Sequence, residues 1–278
     1  MTNSKKQYKT VLTIAGSDSG GGAGIQADIK TISACGCYAS SAITAVTVQN
    51  TLGVEGVHPI PLDILRGQIE AVLSDIGADA VKIGMLHSSE VVEVVADVLR
   101  KYGVRNVVLD PVMVSTSGHR LIEESAIDTI RRELLPLARV ITPNIPEAEI
   151  LAGTKIDSND QLPEVARALS VATGCSVLMK AGHLVEEELV DYLYNAEEGH
   201  IVPLSSQRIT TPNTHGTGCT LSSAFASHLA LGLSLDEAAV AAKGYIEGAI
   251  RSGADYTIGH GHGPVDHFWK WKILSNDK

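Results

Sequence analysis

Positive charge is in short supply in this 278-residue sequence: 22 lysines and arginines stand against 32 aspartates and glutamates, a formal net charge of −10. That balance argues against a nucleic acid or an anionic membrane surface as partner. An acidic chain that binds phosphates must do so with backbone amides, a metal or a few placed lysines. Cysteine is scarce too. Cys35, Cys37, Cys175 and Cys219 do not make a disulfide framework, so the cytoplasm is the expected compartment. Cys35-x-Cys37 is too isolated and too tight for a metal site. No run reaches the roughly 18 apolar residues of a membrane helix. The opening MTNSKKQYKTVLTIAGSDS has only a short apolar stretch, which reads as a strand and not as a signal peptide. Repeats, low-complexity linkers and shifts of composition are also missing. One domain over residues 1–278 is therefore expected.

What is present is a rhythm. VLTIAG (11–16), AITAVTVQ (42–49), AVKIGML (80–86), NVVLDPV (106–112), RVITPN (139–144) and SVLMKAG (176–182) are short runs rich in β-branched residues. Each closes near Gly, Pro or Asn, the pattern of buried parallel strands. Amphipathic segments lie between them. SEVVEVVADVLRKYG (89–103) puts Val91, Val94, Val95 and Val98 on one stripe and ends at a glycine stop. This alternation predicts an α/β fold, a mostly parallel central sheet with helices on both faces. ELVDYLYN (188–195) and HIVPLSSQ (200–207) predict one small antiparallel hairpin, and helices are expected over 219–231 and 235–252. Ligands of such sheets bind beyond the carboxyl ends of the strands. Asp18, Gln49, Asp110, Asn144, Lys180 and the turn at 213–219 collect there.

Several of these positions carry chemistry. AGSDSGGGAGIQADIK (15–30) is a strand end, a glycine-rich turn and a helix. It lacks the Lys-Ser/Thr of a Walker A loop. Gly22-x-Gly24-x-x-Ala27 matches the dinucleotide fingerprint nominally, but the second strand ends in VQN without the acid that would hold a ribose. The glycines bring backbone close to a small ligand with Asp18 beside it, or Asp18 simply caps the turn. Gln49 offers a donor and an acceptor side by side, matching an aminopyrimidine edge, or serves as a turn residue. Met85 could pack on a flat ring or belong to the core. Asn144 and Glu147, three apart at a strand-to-helix junction, suit either a Mg²⁺ ligand pair or a reciprocal helix cap. Lys180 ends a buried strand and needs an anion there, a phosphate or an internal carboxylate.

In TPNTHGTGCTLSSA (211–224), backbone N–H groups from Gly216 through Thr217 and Gly218 to Cys219 face outward at a helix start. Such a nest, backed by the helix dipole, stabilises a transferring phosphoryl group. The same dipole favours thiolate at Cys219, which could take the proton of an attacking hydroxyl. The alternatives are a covalent cysteine nucleophile with His215 as base, or a small structural cysteine. His260, His262 and His267 in GHGHGPVDHFWKW (259–271) suggest a metal only weakly, and ordered packing around Phe268, Trp269 and Trp271 is the stronger reading.

In sequence order, TIAGSDSGGGAGIQADIKT, TAVTVQNT, KIGML, VLDPVM, ITPNIPEAE, LMKAGHL and NTHGTGCTLSSA resemble the motifs of bacterial hydroxymethylpyrimidine/phosphomethylpyrimidine kinases, thiamine-pathway members of the ribokinase-like superfamily, over about 9–271. The resemblance implies a ribokinase-like fold, ATP and Mg²⁺, a cytoplasmic homodimer and two successive phosphorylations of 4-amino-5-hydroxymethyl-2-methylpyrimidine. It implies that Gln49, Gly16, Asp18 and Met85 surround the pyrimidine. Lys180, Asn144 and Thr217 would meet the nucleotide, and Glu147, Asp110 and Asn144 the metal. Cys219, with Gly216 and Gly218, would carry the transfer, where many sugar kinases of the superfamily have an aspartate. Two positions depart from the pattern: MVSTSGH (113–119) lacks a lysine frequent in this loop, and Ala181 replaces a usual glycine. Pyridoxal kinase activity, a non-catalytic precursor sensor and an NAD-dependent oxidoreductase are the rival functions. Gln49 favours the aminopyrimidine, because pyridoxal has no amidine-like edge to pair with it.

Overall fold

A computed structural model describes residues 6–113, 122–182 and 188–271. Among the described residues, nine strands form one sheet: β1 (Thr10–Asp18), β2 (Tyr38–Asn50), β3 (Gly53–Pro59), β4 (Ala80–Ile83), β5 (Val107–Leu109), β6 (Val140–Ile141), β7 (Ser176–Met179), β8 (Glu188–Asn195) and β9 (His200–Gln207). Their order across the sheet is β3-β2-β1-β4-β5-β6-β7-β8-β9. The centre, β2-β1-β4-β5-β6-β7, is parallel, as β-branched runs separated by helical segments require. The expected hairpin is β8–β9, which continues the sheet antiparallel from β7. A second antiparallel pair, β2–β3, adds to the expected architecture.

Helices cover both faces. Alternation along each strand sends Leu12, Ile14, Val81 and Ile83 to one side, against α2 (Leu62–Asp75), α3 (Ser89–Tyr102), α4 (Glu124–Thr129), α5 (Ile145–Ala152) and α6 (Leu162–Thr173). Val11, Ala80, Val108 and Leu178 face the other side, against α1 (Gly24–Ala34), α7 (Thr217–Ala230) and α8 (Leu235–Gly253). The valine stripe of α3 is buried as its spacing predicts, with the Ser88 side chain capping its start and Gly103, at φ 63°, its end. Helix α7 starts two residues earlier than the sequence suggests, directly after Gly216.

The glycine-rich 259–265 segment returns to the carboxyl-end side of the sheet. His260 and Gly261 donate backbone N–H groups to the Thr51 hydroxyl, and His262 donates to the Thr51 carbonyl. His215 donates its backbone N–H to the carbonyl of Gly263. A strap thus joins the turn after β2 to the turn before α7.

Candidate active site

Every residue that the sequence reading places at a site borders one cavity of about 620 Å³ at the carboxyl ends of the parallel strands. Gly16 leaves room for Met85, since a Cβ there would lie 2.6 Å from the Met85 methyl carbon. Met85 is itself buried beside the cavity.

The Asp18 carboxylate is heavily used. It accepts from the backbone N–H of Gly20 (2.8 Å), Gly22 (3.0 Å) and Ala23 (2.8 Å), and from His215 Nε2 at 2.9 Å. Burial acts to raise its pKa, but His215 and the backbone donors outweigh burial and hold it below the usual carboxylate range. Asp18 therefore shapes the glycine turn while it borders the cavity. Because an ionised carboxylate only accepts, His215 Nε2 carries the hydrogen of that pair. The same nitrogen lies 3.5 Å from Gln49 Nε2 and cannot also accept from it. The Gln49 amide N–H groups stay available to a ligand. Gln49 Oε1 lies 3.1 Å from Thr47 Oγ1, whose one hydrogen has a nearer acceptor in the Ser17 carbonyl at 2.8 Å.

Asn144 and Glu147 form a capping box. Glu147 N–H donates to Asn144 Oδ1 at 2.9 Å, and Asn144 N–H donates to Glu147 Oε2 at 2.8 Å. Cap and ligand thus share one geometry. Asp110, buried at the end of β5, accepts from Lys180 Nζ at 2.9 Å and from Thr142 Oγ1 at 3.0 Å. Lys180 thus has the internal carboxylate that its position demands, and its Nζ also lies 4.0 Å from Glu147. Burial acts against charge on Asp110, yet Lys180 and Lys82 hold its pKa low. Burial pushes the Glu147 carboxyl up to about 7, with Lys180 opposing and Asp110 adding to the rise.

The 213–219 turn leans on this pair. A Cβ on Gly218 would stand 3.4 Å from both Asp110 Oδ2 and Lys180 Nζ. Thr217, Gly218 and Cys219 form the first turn of α7, whose N–H groups have no partner within the helix. Cys219 departs from expectation in its charge. Burial pushes its thiol up to about 11, more than Lys82 and a Gly24 N–H donor lower it, while Asp28 and Asp110 add to the rise. Burial of the sulfur thus works against the helix terminus and favours the thiol at rest.

Two more residues belong to this region. Lys82 borders the cavity with no exposed surface, paired with Asp28 of α1 at 2.9 Å. A lysine inside the apolar run AVKIGML, and an aspartate on the buried stripe of α1, were the available signals. Ala181 is buried and donates its N–H to Asp191 at 2.7 Å. The 113–119 loop lies outside the described residues beyond Met113. His260, His262 and His267 do not gather: the first two are exposed, and the third is buried beside Tyr245, whose hydroxyl donates to its carbonyl.

A sequence model of the family described as phosphomethylpyrimidine kinase matches residues 18–266. The chain is 48% identical over 261 residues to a hydroxymethylpyrimidine/phosphomethylpyrimidine kinase of Rhizobium meliloti, covering 94% of this chain and 97% of that one. It is 49% identical over 258 residues to the thiamine biosynthesis bifunctional protein ThiED of Geobacter sulfurreducens, covering 93% of this chain and 52% of that one, about half its length. An ADP complex of Bacillus subtilis pyridoxal kinase superposes with a TM-score of 0.86 at 37% identity, over 94% of this chain and 98% of that one.

Proposed function

The chain belongs to the phosphomethylpyrimidine kinase family, and from that membership we propose that it transfers phosphoryl groups from ATP to 4-amino-5-hydroxymethyl-2-methylpyrimidine and then to its monophosphate, giving the diphosphate for thiamine biosynthesis. The observation that carries this reading is one cavity bordered both by the Gln49 carboxamide and by a glycine turn, a helix N-terminus and Lys180. The first suits an aminopyrimidine and the second a polyphosphate.

In this reading the chain is a single kinase domain with its core at about 9–271. Gln49 pairs with the amine and ring nitrogen, while Gly16 and Met85 bound the ring and Asp18 with His215 holds the turn around it. Lys180, Asn144 and Thr217 meet the nucleotide. The N–H groups of 216–219 receive the phosphoryl oxygens as charge develops on them. Once ionised, Cys219 takes the proton of the hydroxymethyl group and returns to the thiol, the oxygen attacks phosphorus, and the bond to the departing nucleoside diphosphate breaks, its electron pair leaving with that group. Positioning and charge stabilisation do most of the work in such a transfer.

The donor set fits magnesium. Asp110, Glu147 and Asn144 offer hard oxygens, and the two buried carboxylates share the Lys180 ammonium as their ion-pair partner. A magnesium ion held there would offset polyphosphate charge.

The reading extends to a cytoplasmic homodimer. All four cysteines are free thiols, which suits a reducing compartment. Val46 and Val48, exposed on one face of β2, offer apolar surface to a second copy.

ADP release with Mg-ATP, measured separately with the hydroxymethylpyrimidine, its monophosphate and pyridoxal, tests the substrate. Both pyrimidines should turn over faster than pyridoxal, and turnover of pyridoxal alone would overturn the assignment. Cys219→Ala should lower kcat by about two orders of magnitude or more with the hydroxymethylpyrimidine, whose hydroxyl must lose its proton. Full activity in that variant would remove Cys219 as the base.

A further inference from the structure

A second ion pair, Lys82 with Asp28, lies on the Cys219 side of the cavity and has no part in the transfer described above. Lys82 Nζ is 2.9 Å from both carboxylate oxygens of Asp28, and neither side chain is exposed. Thr13 of β1 and Ser223 of α7 donate to the same carboxylate at 2.6 and 2.7 Å. Four elements therefore meet at one aspartate. Pairs this deeply buried are poor sources of stability, because desolvation offsets their attraction and apolar replacements of similar volume do as well. Their location is more informative.

Strand alternation puts Lys82 on the face of Ala80, the face covered by α1, α7 and α8. Ser223 follows Cys219 by four residues, so the two share one face of α7 on successive turns. The Ser223 bond to Asp28 sets the pair against the turn that carries the sulfur. Lys82 and Cys219 border the same cavity. At Gly84 a Cβ would come within 2.9 Å of Lys82 Nζ, so the glycine leaves the ammonium its space.

We propose that Lys82 is a positioning residue for the transfer: held by Asp28, its ammonium is the fixed positive charge that faces the sulfur of Cys219. The inference rests on the reading of Cys219 as the proton acceptor. In that step the hydroxyl proton passes to sulfur, which goes from thiolate to thiol, and the freed oxygen pair forms the new O–P bond. The sulfur must be anionic beforehand, in a setting where burial opposes it. The charges that act on it are Lys82 from β4, Asp28 from α1 and Asp110 from the end of β5, with a Gly24 N–H from α1. Lys180, beyond β7, also feels the sulfur, and Lys243 of α8 is paired with Asp191 at 2.7 Å. Lys82 contributes the largest favourable part.

The direct readout is thiolate absorbance at 240 nm in the full chain, titrated with pH and taken as a difference against Cys219→Ser in the same background. Lys82→Met should move the midpoint alkaline by about one pH unit or more, and Asp28→Asn should move it the other way. The kcat–pH profiles should shift in the same directions. The double variant Asp28→Asn/Lys82→Met leaves neither charge buried alone, so it keeps the test open where a single variant fails to fold. Its midpoint should lie alkaline of the parent. An unshifted midpoint in the double variant, or a lower Tm with unchanged titration and pH profile in Lys82→Met, would overturn the proposal. Failure of the underlying reading looks different: Cys219→Ala would keep its turnover, while the titration would still report whether Lys82 faces the sulfur.

Discussion

At Gly216 the backbone runs at φ +81°, and a Cβ would stand 1.8 Å from the carbonyl oxygen of Gly22. An L side chain is strained at that angle and has no space even if the strain were met. Two glycine turns, the one after β1 and the one before α7, press together there. Gly216→Ala should therefore separate them and misplace the 216–219 amides. Turnover should fall at least about a hundredfold, and thermal unfolding should show a lower Tm. Wild-type kcat in that variant would mean the turn does not hold the phosphoryl group. The TPNTHGTGC stretch is legible in the sequence as a glycine turn leading into a helix, because glycine spacing and a helix start are local features. The protonation of Cys219 is not legible, since it depends on how deeply the sulfur is desolvated and on Lys82 and Asp28, which are remote in sequence. Lys82 itself was readable by the argument used for Lys180: a cation in a buried strand has a partner.

Helix α5 has a cap that doubles as a proposed ligand set, whereas α8 has a capping box, Ser234 with Glu237, built only from helix-start geometry. The two make a matched comparison. Ser234→Ala should cost about 1 kcal/mol of stability and leave kcat unchanged. Asn144→Ala should cost a similar amount and also lower kcat sharply, while Asn144→Asp restores the cap and keeps an oxygen donor. Denaturant midpoints and steady-state rates on the three variants separate capping from ligation. Equal activity in all three would assign Asn144 to the helix alone. The parallel strands, α3 and the β8–β9 hairpin are legible because each buries a regular set of apolar positions. Strand β3 is not. GVEGVHP buries none of its residues, so no hydrophobic period marks it, and its pairing comes from the exposed length of β2. Strands β5 and β6 are shorter than their apolar runs, although parallel pairing resumes beyond β6 where Asn144 meets Lys180 at the cavity.

Stability of the whole molecule has an acid-sensitive part at His267. Its ring is 5% exposed, Nε2 has no partner among the described residues, and burial pushes its pKa down to about 4. The unfolded chain, with an ordinary value near 6.5, takes up the proton first as pH falls. Stability present above pH 6.5 is then lost progressively towards pH 4, by up to roughly 3 kcal/mol. Urea midpoints measured across that window should slope in the parent and flatten in His267→Phe. An equal slope in both would place the acid sensitivity elsewhere. The strand order carries a different consequence. Strands β4 to β9 stand side by side in the order in which the chain is made, so each can add to an edge already formed. The Cys219 helix breaks that sequence, coming back across the sheet to β1, β4 and α1, and Ser223 meets Asp28 across 195 residues of chain. Closing so long a loop is entropically costly, and contacts of this range form slowly. During synthesis, the sheet up to β7 can assemble while the proposed reaction centre is still incomplete, and the Cys219 turn joins it only after nearly all of the scaffold is in place.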